Sequence, residues 1–199
     1  MSSIKLTADS GGGTFEVKAP ASSGNTRVLT LPDAANGTVL TTTNPKTGNI
    51  LQVVQTVKTD TFSHTGNTSV TDVTGLNVTI TPSSSSSKIL IQVFMNISNN
   101  NISRVQIVRG TTAIALGDAA GSRPVGAASM NNGGDTNVSD PLTMIFLDSP
   151  STTSATTYKV SFSNELNSST FAVNKSMGDA NSIVGVRSIS TITAMEVAA

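Results

Sequence analysis

"KILIQVFMNIS", residues 88 to 98, decides the fold class. Ile89, Ile91, Val93, Met95 and Ile97 alternate along it, and in an extended chain side chains two apart share a face. The alternation is rich in β-branched residues, and no helical stripe competes with it. Leu90 and Phe94 make the opposite face apolar as well. The stretch therefore predicts a strand that meets protein on both sides.

The same short, Val-, Ile-, Thr- and Phe-rich runs flank it. They are "ILQVVQTVKTDTFS" (50–63) and "LNVTITP" (76–82) before it, and "RVQIVRG" (104–110), "TAIALG" (112–117), "LTMIFLD" (142–148), "TYKVSFSN" (157–164), "TFAVNKS" (170–176) and "ISTITAMEV" (189–197) after it. Clusters of Gly, Asn, Ser, Asp and Pro separate them, which is the pattern of an all-β domain. The alanine-rich "AIALGDAAGSRPVGAAS" (113–129) carries glycines and a proline that a helix would not tolerate, so it reads as a strand end followed by a long loop. Ser83 to Ser87 reads as a solvated loop. Met144 and Phe146 oppose Ile145 and Leu147, and Ile192 and Ala194 oppose Ile189 and Met195. At least one sheet is thus expected to be covered on both faces, most simply by a partner subunit.

The apolar pattern lapses at "TTTNPKTGN" (41–49), which divides the chain into an N-terminal segment, 1–48, and a larger domain, 49–199. Short strands are expected in the segment at "IKLTAD" (4–9), "TFEVKAP" (14–20), "RVLTLP" (27–32) and "GTVLTTT" (37–43), with turns at Gly11 to Gly13, Pro32-Asp33 and Asn36-Gly37.

Composition narrows the function. Among 199 residues, twelve Lys and Arg balance twelve Asp and Glu, so no whole-chain field attracts nucleic acid. The charged fraction, 12%, is about half the usual quarter, and the surface must be polar through hydroxyls and amides. Cysteine is absent, which excludes disulfides and thiolate metal sites. No apolar run approaches the roughly 20 residues of a membrane span. "MSSIKLTADSGGG" lacks the basic and apolar regions of a secretory signal, so synthesis in the cytoplasm without a signal peptide is expected. Asn-x-Ser/Thr triplets such as those at Asn96 and Asn174 arise by chance in so Asn-, Ser- and Thr-rich a chain, and no glycosylation is assigned.

Catalytic constellations are not visible. His64, the single histidine, sits in the turn-like "FSHTGN", without a Gly-x-Ser-x-Gly elbow or a His-Glu-x-x-His helix. The acids of the C-terminal half, among them Asp118, Asp135, Asp140, Asp148, Glu165, Asp179 and Glu196, mostly adjoin Gly, Ser or Pro, as turn-capping carboxylates do. "GGGT" (11–14) lacks the lysine of a phosphate loop, and "GGDTN" (133–137) lacks the repeated acids of a calcium loop. With six Phe, one Tyr and no Trp there is no visible stacking platform. No catalytic, cofactor-binding or metal-ligating residue is assigned, and the expected protein is not an enzyme.

Two stretches carry a resemblance. "GGGTFEVKAPASSGNTRVLTLPDAANGTVLTT" (11–42) resembles N-terminal segments of virion appendage proteins from tailed bacteriophages, especially marine and cyanobacterial ones. "SKILIQV" (87–93), "RGTTAIALGDAAGSR" (109–123), "IFLDSPSTTSATTYKVSF" (145–162) and "STITAMEV" (190–197) resemble C-terminal domains of phage tail fibres. The resemblance implies an antiparallel jelly-roll sandwich of the tumour-necrosis-factor and C1q type, preceded by a small β-strand attachment segment, and a homotrimer packed about a threefold axis. Ile91, Val93, Ile192 and Met195 are the expected trimer contacts. Other virion proteins would hold residues 1–48, and a host-surface glycan or protein would meet distal loops 119–140 and 164–169. Within these, Ser122, Arg123, Asn131, Asn132, Asp135 and Asn137 are the receptor-facing candidates. The implied location is the tail or capsid exterior. The chain lacks the long shaft of a full-length tail fibre, so a capsid decoration, cement or head-fibre protein stands beside the tail-fibre expectation.

Overall fold

The structure is a computed structural model that describes residues 3–7, 11, 14–18, 24, 45–66, 68–133 and 135–199. The chain divides into two compact units, Met1–Val39 and Leu40–Ala199. In the first, β1 (Ser3–Thr7) and β2 (Thr14–Lys18) form an antiparallel pair running from Ser3↔Lys18 to Thr7↔Thr14. The strands expected at 27–32 and 37–43, and the turns between them, lie outside the described residues.

The second unit is an antiparallel sandwich. Its first sheet contains β3 (Ile50–Lys58), β4 (Phe62–Thr65), β6 (Lys88–Asn99), β10 (Asp140–Asp148), β12 (Thr170–Val173) and β13 (Ser190–Val197). The second holds β5 (Thr71–Ile80), β7 (Ser103–Arg109), β8 (Thr112–Ile114), β9 (Ala128–Met130) and β11 (Thr156–Asn164). No helix occurs among the described residues. If β3, β5, β6, β7, β8, β10, β11 and β13 are counted one to eight, the first sheet reads 1-8-3-6 and the second 2-7-4-5. That alternation between sheets is jelly-roll order.

Local chemistry explains the breaks. The run expected as one strand over 50–63 splits at Asp60, whose carboxylate takes the Lys58 ammonium at 2.8 Å and turns the chain from β3 into β4. His64 is therefore a strand residue and not a turn residue. It pairs with Phe171, and its ring lies edge-on 5.8 Å from Phe162. Gly110 reverses β7 into β8 with a φ of 58°, a conformation costly for residues with a Cβ.

Between the sheets, Ile89, Ile91, Val93, Met95 and Ile97 of β6 meet Leu76, Val78 and Ile80 of β5, Val105 and Ile107 of β7, and Tyr158, Val160 and Phe162 of β11. Phe162 stacks on Phe171 across the two sheets, with centroids 4.3 Å apart and planes 8° from parallel. Phe62 meets it edge-on at 5.8 Å.

This packing corrects the expected trimer contacts. Ile91 and Ile192 are 0% exposed and Val93 1% within a single chain. They belong to the chain's own core, because both outward and inward faces of β6 are apolar and alternation alone does not say which face turns in.

The Ser83 to Ser87 run is likewise pinned and not a free loop. Glu196, buried at the end of β13, accepts bonds from Ser83 N at 2.7 Å, Ser83 Oγ at 2.6 Å and Gln52 Nε2 at 2.6 Å. Burial pushes its carboxyl up, but the bonds from Ser83, Gln52 and Ser87 outweigh that and hold it below the ordinary value of 4.5.

Ile192→Asp is expected to leave an unfolded chain, at a cost above about 4 kcal/mol, because it buries an unpaired charge; circular dichroism of the purified variant checks this. A carboxylate with a depressed folded pKa contributes stability that is present above its unfolded value and lost as pH falls through the folded one. Melting temperature of the native chain should therefore drop as pH falls below 4.5. Glu196→Gln should flatten that part of the acid limb, as read in thermal melts from neutral pH down to about pH 2.

Candidate functional site

With the odd-numbered residues of β6 turned inward, Leu90, Gln92 and Phe94 turn out. Strand register extends them into three rows across four strands. Val53, Met195, Leu90 and Leu147 form one, Gln55, Thr193, Gln92 and Ile145 the next, and Val57, Thr191, Phe94 and Thr143 the third. None of these twelve positions carries a charge. Ile145 is 61% and Val53 57% exposed, and Val57, Leu147 and Phe94 are exposed as well. Gln55 Nε2 donates to Thr193 Oγ1 at 2.8 Å, so the polar row is partly satisfied within the sheet. The solvent face of an antiparallel sandwich ordinarily alternates apolar-in with polar-out, and this one does not. Of the four expected contact residues, only Met195 lies on this face.

The ends of the sandwich differ. Residues 45–49 lead into β3 beside the end of β13, where Gly48 N donates to Ala198 O at 2.8 Å and Ala198 N to Asn49 O at 2.9 Å. The Ser83 to Ser87 turn lies at this same end. The opposite end gathers the described parts of the connections at 66–70, 100–102, 115–127, 131–139, 164–169 and 174–189. The two stretches expected to meet a receptor, 119–140 and 164–169, are thus brought to one end, although some forty residues separate their centres.

Within that end the expected residues have different tasks. Asn132 is a structural clasp: its N donates to Asn99 Oδ1 at 2.9 Å, while Asn99 N donates to Asn132 Oδ1 at 3.0 Å. Asn132 Nδ2 donates to Asp140, and Asn99 Nδ2 to Met130 O at 2.8 Å. Asn131 Oδ1 and Asp135 Oδ1 accept from Gly133 N and Asn137 N, the local turns that Asn and Asp favour. Gly178 N donates to Thr136 O at 2.7 Å, tying this loop to the next. Ser122 and Arg123 stand apart on the 117–126 loop, with both side chains exposed. Beyond these, Ile183 is 95% and Val186 62% exposed at the tip of the 174–189 connection.

One carboxylate that resembles a turn acid in sequence, Asp148, is internal. Asp148 accepts from Arg109 Nη1 at 2.7 and 2.8 Å and from the buried Tyr158 hydroxyl at 2.7 Å. Burial, reinforced by the Asp148 charge, pushes that phenol far up, so it stays a donor. These partners lie ten and 39 residues away, too distant for any local motif to announce them. Among the described residues no three His, Asp or Glu side chains converge in a way that would hold a metal ion.

No family model matches the sequence, and no curated protein does. Solved structures with some likeness include one described as the structure of infectious bursal disease virus Gx strain, at 13% identity and a TM-score of 0.36. The match covers 93% of this chain and 46% of that one, so the chain spans less than half the length of that protein. An overlap this slight says nothing about role.

Asn132→Ala removes the clasp and leaves Asn99 and Asp140 short of partners. The variant is expected to lose about 1–3 kcal/mol of stability and to be cut faster within 131–140 during limited proteolysis, while Asn137→Ala, which leaves the backbone bond to Asp135 in place, should match the native chain in both.

Proposed function

We propose that this chain is a structural protein of a tailed-phage virion, a homotrimeric fibre that attaches to the host surface by binding and without catalysis. One observation carries the reading: the uncharged three-row face on β3, β13, β6 and β10 is a surface built to be covered. Packing three such faces about a common axis removes Val53, Leu90, Phe94, Ile145, Leu147 and Met195 from water. Each fully buried side chain of this size is worth about 1.5–3 kcal/mol relative to exposure. The face is its own best partner because it offers no charge for an oppositely charged surface to match. The resemblance of residues 87–93, 109–123, 145–162 and 190–197 to fibre domains supports the same reading.

Polarity within the unit also supports attachment. The chain enters β3 at one end, and the long connections gather at the other. Anchored through its N-terminal segment to other virion proteins, the trimer presents three sets of loops outward. Linked sites gain avidity on the order of 100-fold or more when geometry permits simultaneous engagement, so individually weak contacts suffice.

Ile145→Asp is expected to give a folded monomer, with the native strand spectrum, where the native chain sediments as a trimer. Intact Ile145→Asp trimers would remove this face from the assembly. The purified native trimer should block phage adsorption to host cells in a dose-dependent way and the monomer should block far less. An intact trimer that blocks nothing would move the protein to a capsid or head-fibre decoration.

A further inference from the structure

Arg104 lies on the outer face of β7 and is roofed by the loop at 117–126. Gly117 N donates to Gly126 O at 3.4 Å and closes the neck of that loop, which makes it a compact Ω-loop, a form often used for function. The loop lies flat against the arginine stem: a Cβ at Gly126 would sit 2.5 Å from Arg104 Cγ. Arg104 Nε donates to Ser163 Oγ at 3.1 Å, and Nη1 donates to Val125 O at 3.0 Å, an oxygen that Gln106 Nε2 also reaches at 3.2 Å. The guanidinium is thereby fixed in place. Neither Arg104 nor Arg123 has an ion-pair partner among the described residues, and Arg104 Nη2 has no hydrogen-bond partner there.

Two clefts open on either side of Arg104 and Pro124. The first, about 440 Å³, is walled by Thr68, Ile102 and Glu165; the second, about 340 Å³, by Asp118 and Arg123. From this geometry we infer that the paired clefts bind a carboxylated saccharide of the uronic or sialic acid kind. This deepens the host-attachment reading and rests on it for its biological setting.

The chemistry selects that class. With Nε and Nη1 of Arg104 held by Ser163 and Val125, Nη2 is left to donate a charge-assisted hydrogen bond to a carboxylate, with Arg123 as a second cation beside it. Two arginines and two carboxylates leave the clefts without net charge, so one negative group on a ligand is accommodated while a doubly charged phosphate meets repulsion from Asp118 and Glu165. Those same carboxylates, and the Thr68 hydroxyl, accept hydrogen bonds from ring hydroxyls. Ile102, 43% exposed, and Pro124 offer apolar surface to the C–H face of a pyranose.

The experiment titrates the full-length trimer with oligogalacturonate and with sialyl-lactose, and with the carboxyl-reduced counterpart of each, following binding by calorimetry. At least one acidic saccharide should bind about tenfold or more tightly than its reduced form, the loss expected for one charge-assisted hydrogen-bonded pair. Arg123→Gln, exposed and without a core contact, should weaken binding several-fold; Arg104→Gln should weaken it about tenfold or more; Lys46→Gln, which removes an exposed cation at the other end of the sandwich, should not change it. Equal affinity for reduced and acidic forms, no binding by either acid, or full binding by both arginine variants would overturn the assignment. Inorganic phosphate that displaces the sugar at equal concentration would overturn the preference for a single charge. Adsorption assays separate the two proposals. A trimer that blocks adsorption yet ignores both acids leaves the fibre reading standing without this site, whereas a trimer that binds the acid but never blocks adsorption keeps the site and loses the fibre.

Discussion

Strand parity in β6 governs the rest of the larger unit. β6 is hydrogen-bonded along both edges, to β10 on one side and to β13 and then β12 on the other, so its alternation is transmitted to every strand of the first sheet. A shift of one residue would exchange the faces, sending Gln92 and Asn96 into the core and five large apolar side chains out. The core set is uninterrupted from Ile89 to Ile97, and the outward set is broken by Gln92 and Asn96. That difference settles the register and, as a by-product, leaves an apolar face on the outside.

Few charges are present, and several of them are spent inside. Asp148 joins Arg109 to Tyr158, Glu196 fastens the serine turn, and the buried Lys58, paired with the exposed Asp60, shapes the step from β3 to β4. Asn174 does similar work without charge. In a left-handed conformation at φ 62°, it donates to the carbonyls of Lys58 and Asp60 and accepts from Ser190. Buried polar groups of this kind cost free energy unless satisfied, so they fix one arrangement of loops more sharply than apolar packing would. The rest of the described surface is left largely to hydroxyls and amides.

Most strand positions could be read from the sequence because each is a short alternating run bounded by turn residues, and an antiparallel sandwich follows from them; the jelly-roll order was implied only by the resemblance, and β9, inside an alanine-rich stretch, was read as loop. What could not be read was depth. Alternation shows that Ile91 and Leu90 lie on opposite faces but not which face meets the second sheet; the continuity of the apolar set was the available signal. His64 looked like a turn residue because Gly66 follows closely, yet pairing with Phe171, more than a hundred residues away, extends the strand through it. The clasp role of Asn132, the buried role of Glu196 and Arg104 altogether were missed for the same reason: their partners come from distant segments, and only the close approach at Gly126 leaves a local trace. The strands expected at 27–32 and 37–43 lie outside the described residues.

The hydrogen bonds between Gly48, Asn49 and Ala198 bring the beginning and the end of the sandwich within one backbone bond of each other. A domain closed in this way behaves as a cassette. Such a unit can be spliced into a surface turn of another protein without stretching either junction, because adjacent ends of this kind are what make insertion and permutation tolerable.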